Sequence, residues 1–258
     1  MNCLGVDIGA VSAKAVLLRD DVILAYEVLD TGSNIGRIAD KVVKKVLEKA
    51  RIDFNDLNGI VATGYGRISV PFADKKVTEI TCHARGVHHL IPEVRTIIDI
   101  GGQDSKGIRV DEAGNVIDFV MNDKCAAGTG RFLEVMSKAL ELKIGDLGSI
   151  SLESKETCQI SSVCTVFAES EVVSLRAEGK AREDIIAGIH KSIASRIGAM
   201  ISQIGKEEIV VLTGGVAKNK GVVKTMENEL KTSVSIPENP QITGALGAAL
   251  LARGQISV

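Results

Sequence analysis

Cys125 lies in a stretch whose residue types could hold an anionic centre. It stands ahead of two glycines and a threonine in KCAAGTGRF, residues 124–132. Apolar residues then recur at the three- and four-residue spacing of an amphipathic helix, at Phe132, Val135, Met136, Ala139 and Leu140. Cys125 is therefore expected beside a helix N-terminus, where unpaired backbone N–H groups favour a thiolate or a metal–thiolate centre. The alternative is a small cysteine buried in a turn.

Cys164 falls in a similar pattern. Ser161 or Ser162 could cap a helix that carries Cys164 in its first turn and continues past Glu169 and Glu171. The competing metal ligand is Cys158, which lacks the capping serines.

The remaining cysteines complete an odd set of five, Cys3, Cys82, Cys125, Cys158 and Cys164. With no secretion signal, a disulfide framework is not expected. No CxxC occurs, so a metal site needs cysteines distant in sequence or from more than one chain. A Cys/His site on the helix predicted over residues 78–90 is conceivable, but partner ligands at metal-binding spacing are missing there. Its candidate ligands would be Cys82, His83, His88 and His89.

A glycine-bearing turn near the N-terminus has the composition of a phosphate site. In LGVDIGAVSAKAVLL, two short β-like runs flank a turn with Gly9, whose missing side chain permits close backbone approach. The turn would present the backbone at Gly9 and Ala13, the Ser12 hydroxyl and the Lys14 ammonium to one point. Asp7 would face the same point, where a carboxylate is useful if a divalent cation lies between it and the phosphates. An ordinary hairpin is the alternative.

The same pattern returns in RTIIDIGGQDSKGIRV, residues 95–110. The repeat, offset by about 92 residues, pairs Asp99 with Asp7, Gly101 with Gly9, Ser105 approximately with Ser12, and Lys106 approximately with Lys14. An internal repeat predicts two similar halves. Their two turns would bracket a single polyphosphate in the cleft between them.

A third glycine turn follows in EIVVLTGGVAKN, residues 208–219. A buried β-run breaks at Gly214 and Gly215 before a new helix, and paired glycines at such a turn let a flat ring lie against the backbone. This turn is expected to bind the nucleoside end of the ligand.

The elements that would position these residues follow from periodicity. Strands are predicted within residues 4–18, 22–30, 59–64, 95–110, 116–121 and 208–213. Helices are predicted over residues 35–51, 78–90, 181–204 and 244–252, and after each of Cys125 and Ser161.

Composition limits the class of protein. The chain has 258 residues, 45% hydrophobic and 25% charged, which is ample for a core. A net charge of −2 gives no reason to expect a nucleic-acid or membrane partner, and 3% aromatic residues without Trp disfavour base stacking. No membrane span or leader is recognisable, so we expect a soluble, cytoplasmic protein.

Two DIG-type turns followed by LTGGVAKN resemble the actin/Hsp70/sugar-kinase superfamily of ATP-binding proteins. The resemblance covers residues 4 to about 252. It implies a duplicated α/β ATPase fold with two similar halves around a nucleotide cleft. The first half would comprise residues 1–94 plus about 243–258, and the second residues 95–242.

Within that superfamily, KCAAGTGRF, SSVCTVFAESEV and TGYGR resemble the ATP-dependent activators of 2-hydroxyacyl-CoA dehydratases, in the BadF/BadG/BcrA/BcrD ATPase family. The resemblance implies a homodimer in which Cys125 and Cys164 of both chains hold one [4Fe–4S] cluster, with both helix N-termini pointing at it. It also implies ATP hydrolysis coupled to transfer of one low-potential electron from ferredoxin or flavodoxin to an iron–sulfur dehydratase, of the 2-hydroxyglutaryl-CoA type.

The nucleotide site implied by the resemblance binds ATP or ADP with Mg²⁺. Asp7 would act on the magnesium side, and Gln103 or Asp104 would position the attacking water. The ligand-binding residues would be Asp7, Gly9, Ser12, Ala13, Lys14, Asp99, Gly101, Gly102, Gln103, Gly214, Gly215, Val216 and Asn219.

Other functions remain open on this fold. One is a small-molecule kinase, such as an N-acetylhexosamine kinase, and a second is the ATPase component of a benzoyl-CoA-reductase-type enzyme. A non-enzymatic assembly protein of the actin type is a further alternative.

Overall fold

The computed structural model describes residues 1–161 and 164–254. The strands are β1 (Asn2–Ile8), β2 (Ser12–Arg19), β3 (Val22–Asp30), β4 (Gly59–Thr63), β5 (Lys75–Lys76), β6 (Thr96–Ile100), β7 (Ser105–Val110), β8 (Val116–Asn122), β9 (Val210–Thr213) and β10 (Val234–Ser235). The helices are α1 (Ile35–Ala50), α2 (Glu79–Leu90), α3 (Gly130–Ala139), α4 (Leu147–Ser151), α5 (Thr165–Ala177), α6 (Arg182–Ile204), α7 (Lys220–Leu230) and α8 (Thr243–Gly254).

The strands form two sheets with the same order. One sheet runs β3-β2-β1-β4-β5, and the other, read from its β8 edge, runs β8-β7-β6-β9-β10. In the first sheet, β1 pairs antiparallel with β2 and parallel with β4. Each strand of the second sheet thus takes the place of the strand five earlier in the chain, which confirms the duplicated α/β fold.

The chain divides into two compact units. The first comprises Met1–Ile97, Ile108–Asp118 and the chain from Pro237 onward, and the second comprises Ile98–Gly107 and Phe119–Ile236.

In the first unit, helices pack on both faces of the sheet whose strands β1 and β2 flank the first glycine turn. The α1 helix begins after Asn34, whose side chain accepts a hydrogen bond from Arg37 N, and its apolar stripe packs with the side chains of β1. The α8 helix packs on other residues of β1 and β2. Gly5 allows this approach, because a Cβ there would collide with the backbone of Ala245.

The core of the second unit is centred on α6. Its apolar residues at helical spacing pack with α3, α5, α7 and the strands β6 and β9. Residues buried along α6 include Ile185, Ile186, Ile189, Ile193, Ile197, Ile201 and Ile204. The periodic stripe predicted for residues 181–204 is therefore a core helix.

Several short elements were not predicted. The strands β5 and β10 have two residues each, and α4 has five. Elements of this length carry no hydrophobic period, so only pairing with neighbouring strands or packing reveals them. Within the described ranges, no helix combines the length and the apolar character needed to cross a membrane.

Candidate functional site

The first glycine turn joins β1 to β2 and carries a part-buried ion pair. Gly9 N donates to Ser12 O at 3.0 Å, which closes the turn. Asp7 lies opposite Lys14 in the strand register, and Lys14 Nζ lies 3.1 Å from Asp7 Oδ2. Ala13 is fully buried and pairs with Ile8 in the ladder. The two short strands predicted to flank this turn are therefore confirmed.

The second turn repeats this geometry and adds contacts. Gly101 N donates to Asp104 O at 2.9 Å. Lys106 Nζ lies 3.4 Å from Asp99 Oδ2 and 2.7 Å from Asp104 Oδ2. Thr213 at the end of β9 donates to Asp99 Oδ1 at 2.9 Å. Both oxygens of the Asp99 carboxylate are therefore engaged.

The two closing bonds correct the predicted alignment. Because Asp104 O takes the role of Ser12 O, Asp104 is the counterpart of Ser12. Ser105 then corresponds to Ala13, so the approximate match of Ser105 to Ser12 is offset by one residue, whereas Lys106 corresponds directly to Lys14. Ser105 is fully buried, and its hydroxyl donates to Gly128 O.

Each unit has a Thr-Gly turn at the end of a parallel strand. Gly64 and Gly214 both have φ of +85° and are followed by short 3₁₀ helices, Tyr65–Ser69 and Gly215–Lys218. A Cβ at Gly64 would collide with Asp7 Oδ1, and one at Gly214 would lie 3.0 Å from Asp99 Oδ1. Glycine is therefore needed for the backbone to approach each aspartate.

The side chains of two residues after Gly214, Val216 and Asn219, make contacts within the protein. Val216 is buried. Asn219 caps α7, since its Oδ1 accepts from Val222 N at 3.0 Å, and its Nδ2 lies 3.3 Å from His190 Nε2. These contacts give the Asn219 side chain a structural role.

The Cys125 loop differs from its predicted position. The α3 helix begins at Gly130 with Thr129 as N-cap, so Cys125 lies four residues before the cap. Gly130 N donates to Gly101 O and Arg131 N donates to Gly102 O, both at 2.8 Å. The first two amides of α3 are therefore paired with the second glycine turn and are not the unpaired N–H groups that were predicted beside Cys125.

Cys125 is half-buried and has a cationic neighbour. Nη1 of Arg196, on α6, lies 3.4 Å from Cys125 Sγ and 3.4 Å from Ala127 O. The guanidinium therefore donates to both the sulfur and the carbonyl of this loop.

Cys164 occupies the N-cap position of α5, one residue before its first turn. Cys164 is exposed to solvent. Ser161 is not a cap, because its N–H and hydroxyl donate to the Glu171 carboxylate at 3.0 Å. The alternative cap, Ser162, lies outside the described residues.

The other three cysteines, all within the described residues, are buried. Burial raises the pKa of the Cys3 and Cys158 thiols. Burial also raises the pKa of Cys82 to about 12. A hydrogen bond with Thr63 opposes this increase, whereas the nearby charges of Asp7 and Glu79 add to it. Thiols with raised pKa values are poor metal ligands, since the ligand is the thiolate.

Cys125 and Cys164 could hold a four-iron cluster only if two chains each contributed this pair of thiols. In the described ranges, no group of three or more His, Cys, Asp and Glu residues is placed to hold a metal ion. A [4Fe–4S] cluster usually takes four thiolates. Two accessible thiols per chain supply half of such a set.

Three contact residues were not identified from the sequence, namely Thr213, Arg196 and the hydroxyl of Ser105 toward Gly128. The recurrence of Thr-Gly at residues 63–64 and 213–214 could have indicated Thr213. The contacts of Arg196 and Ser105 carry no local signal, because each meets its partner through long-range packing.

The chain matches the BadF/BadG/BcrA/BcrD ATPase family over residues 4–252. It is 48% identical to a 2-hydroxyisocaproyl-CoA dehydratase activator of Clostridioides difficile, over 98% of this chain and 95% of that protein. It is 49% identical to an activator of lactoyl-CoA dehydratase of Anaerotignum propionicum, over 98% and 97% of the two chains. Identity to a benzoyl-CoA reductase polypeptide of Thauera aromatica is 32%, over 95% and 91%.

Solved structures agree with these relatives. The activator of the 2-hydroxyisocaproyl-CoA dehydratase from Clostridium difficile with bound ADPNP superposes with a TM-score of 0.93 at 47% identity, covering 100% and 98% of the two chains. Component A of the Acidaminococcus fermentans (R)-2-hydroxyglutaryl-CoA dehydratase has a TM-score of 0.97 at 43% identity, covering 100% of both.

A ROK family glucokinase from Streptomyces griseus shares the fold alone, with a TM-score of 0.63 at 14% identity over 98% of this chain and 100% of that one. The fold is thus that of the actin, Hsp70 and sugar-kinase proteins. On the match to residues 4–252 and on identities near one half across nearly its whole length, this chain belongs to the BadF/BadG/BcrA/BcrD ATPase family.

Proposed function

We propose that this protein is an ATP-hydrolysing iron–sulfur activator that delivers one low-potential electron to a 2-hydroxyacyl-CoA dehydratase. The identities of 48% and 49% to two dehydratase activators support this function over that of a benzoyl-CoA reductase component, to which identity is 32%. The named relatives serve different acyl groups, so the proposal is made for the 2-hydroxyacyl-CoA class, including the 2-hydroxyglutaryl-CoA type.

The nucleotide would be bound by the glycine turns of the chain. Phosphate contacts are proposed for the turn backbones at Gly9, Gly101 and Gly102, with Lys14 as the cationic side chain of the first turn. The contacts that Asp99 receives from Thr213 and Lys106 hold that carboxylate in place. Lys14 Nζ donates to Asp7 Oδ2. We assign the magnesium-side role to Asp7.

The water-positioning role is assigned to Gln103. Its neighbour Asp104 bonds Lys106 at 2.7 Å, which commits that carboxylate to the ion pair. Gln103 is exposed in the same turn, and its amide can both donate to and accept from a water. The Gly214 turn, with Gly215 and Val216, is proposed for the nucleoside end.

Cys125 and Cys164 are the proposed metal ligands, because they are the two cysteines that are not buried. This observation carries the iron–sulfur part of the proposal. Two thiolates from each chain of a homodimer would complete the four that a [4Fe–4S] cluster requires. When bound, such a cluster supplies one-electron transfer, with ferredoxin or flavodoxin as the electron donor and the dehydratase as the acceptor. Arg196 would balance negative charge on the Cys125 sulfur.

Anaerobic purification followed by iron and sulfide analysis tests this proposal. The native chain is expected to bind about two iron atoms per chain, which is one four-iron cluster per dimer. Cys125→Ser and Cys164→Ser should each lose most of the iron. The matched control, Cys158→Ser, should keep it.

Other outcomes would overturn parts of the proposal. A colourless, iron-free protein after anaerobic reconstitution would exclude the cluster. Phosphoryl transfer from ATP to an added hexosamine by that iron-free protein would favour the kinase alternative. ATP-dependent polymerisation without turnover would indicate an assembly protein.

A further inference from the structure

We propose that Ser105 is a positioning residue that couples the second glycine turn to the Cys125 loop. Nucleotide bound at residues 101–104 would thereby change the exposure of the Cys125 thiol. The coupling rests on the proposed function for the identity of the ligand at the turn. The contacts that carry it lie within the second unit of a single chain.

Three hydrogen bonds join the turn to the start of α3. Gly130 N donates to Gly101 O and Arg131 N donates to Gly102 O, both at 2.8 Å. Ser105 Oγ donates to Gly128 O. The approach is close, since a Cβ at Gly130 would lie 3.2 Å from Gly101 O and 3.3 Å from Gly102 Cα. A displacement of the turn must therefore move this segment with it.

The segment between Gly128 and Cys125 is held as one piece. Asn122 Nδ2 donates to Cys125 O at 2.9 Å and to Ala127 O at 3.2 Å, and Cys125 N donates back to Asn122 Oδ1 at 3.3 Å. Thr129 Oγ1 donates to Ala126 O at 2.6 Å. Because every residue from 125 to 127 is bonded, motion at Gly128 is passed to Cys125 and is not absorbed in a slack loop.

Ser105 is the member of this linkage that the internal repeat identifies. The counterpart of Ser105 in the first turn is Ala13, which pairs with Ile8 at the start of β2 and has no hydroxyl. The geometry of the turn therefore does not require the Ser105 hydroxyl. Its bond to Gly128 is an addition in the half of the chain that carries Cys125, and it is fully buried.

Ser105→Ala gives the second turn the residue that the first already has, so its hairpin is expected to form. The experiment uses full-length, iron-free protein and measures iodoacetamide alkylation of Cys125 by peptide mass spectrometry, with and without ADPNP and Mg²⁺. In the native chain, ADPNP should change the Cys125 rate by about fivefold or more. In Ser105→Ala the change should fall below about twofold, while the ADPNP Kd measured by calorimetry stays within about twofold.

Ser137→Ala is the matched control. Ser137 lies on α3, is buried, and donates its hydroxyl to Glu134 O at 2.9 Å inside the helix, away from the turn. This variant loses the same chemical group and should retain the full nucleotide effect. Loss of the effect in both variants would indicate a merely structural role for Ser105 and overturn the inference.

The outcomes separate the coupling from the proposed function. Absence of ADPNP binding by calorimetry overturns both. Binding without a rate change at Cys125, or a rate change that survives in Ser105→Ala, overturns the coupling alone. Iron content does not enter this readout, so failure of the cluster assignment leaves the result interpretable.

A second measurement serves if Ser105→Ala does not fold. Hydrogen–deuterium exchange of the native chain reports on the amides of Gly130 and Arg131, which bond to the turn. ADPNP is expected to alter exchange of a peptide spanning residues 126–133. Unchanged exchange in that peptide, with ADPNP bound, would contradict the coupling.

Discussion

The two Asp–Lys pairs show how one motif is adapted at single residues. In the first turn, Lys14 is 13% exposed and contacts Asp7. In the second, Lys106 is 2% exposed and bridges Asp99 and Asp104. A buried ammonium is costly unless its charge and donors are satisfied, and two carboxylates meet that need. The first lysine thus stays partly open to solvent, and the second is a structural bridge.

The cysteines are predicted to differ sharply in reactivity. At pH 8, iodoacetamide should label Cys164 first, because it is the exposed cysteine and the reagent reaches it without any opening of the fold. Cys82 should remain unlabelled, since burial raises its pKa to about 12 and the thiolate is the reacting species. Peptide mass spectrometry of the native, iron-free protein measures both rates.

Unfolding supplies the control for this comparison. In urea, Cys82 and Cys164 should be labelled at similar rates, because the burial that separates them is gone. Rapid labelling of Cys82 in the native protein would contradict the packing of α2 against α8.

At the scale of elements, α6 and α7 meet through a buried histidine. His190 is fully buried on α6, and its Nε2 lies 3.3 Å from Nδ2 of Asn219, the N-cap of α7. A Cβ at Gly221 would lie 2.7 Å from His190 Nδ1, so the glycine makes room for the ring. The imidazole therefore packs directly behind the helix that follows the Gly214 turn.

His190 should make stability depend on pH. Burial lowers its pKa from 6.5 to about 4 in the folded protein. The unfolded chain therefore takes up a proton first as pH falls, so this contribution to stability is complete above about pH 6.5 and is lost toward pH 4. Between pH 7 and pH 5, the loss should be about 2 kcal/mol of unfolding free energy.

His190→Gln isolates this effect. Urea denaturation at pH 7 and pH 5 gives the loss of unfolding free energy for each protein, and the variant should lose about 2 kcal/mol less than the native chain. Equal losses in the two proteins would show that His190 is not held neutral by burial.

At the scale of the whole molecule, the first unit depends on close backbone contacts of α8. Its glycine- and alanine-rich sequence lies directly against α2 and β1. A Cβ at Gly86 would collide with Thr243 O, and one at Gly247 would collide with Cys82 O. The α8 helix thus lies against α2 through contacts that leave no room for a side chain at Gly86 or Gly247.

Gly86→Ala should destabilise the protein by at least about 2 kcal/mol, because the colliding atoms are backbone and cannot rotate away. Gly36→Ala is the matched control. Gly36 also lies in a helix, but its nearest outside atom is Asn34 Oδ1 at 4.0 Å. The control should not lose stability in urea denaturation, and the higher helix propensity of alanine could raise its unfolding free energy by up to about 1 kcal/mol. Equal effects of the two substitutions would refute the close-contact interpretation.

Much of the fold was predictable because its signals are local. The long helices α1 and α6 follow from apolar residues at helical spacing, and the two hairpins follow from Asp, Gly and Lys at repeated positions. The repeat was visible because the turn tolerates few residue types. The one-residue error at Ser105 arose because residue similarity set the alignment, whereas the hydrogen bond that closes each turn sets the true register.

The sequence by itself determined the duplicated turns and the main helices, and its family resemblance pointed to Cys125 and Cys164 as candidate ligands. Tertiary structure alone decided that Cys3, Cys82 and Cys158 are buried, that Arg196 meets Cys125 and that the first amides of α3 bond to the second glycine turn. The physical reason is the range of the interactions. Backbone conformation and helical periodicity depend on residues that are close in sequence. Burial and side-chain pairing depend on segments that folding brings together from distant parts of the chain.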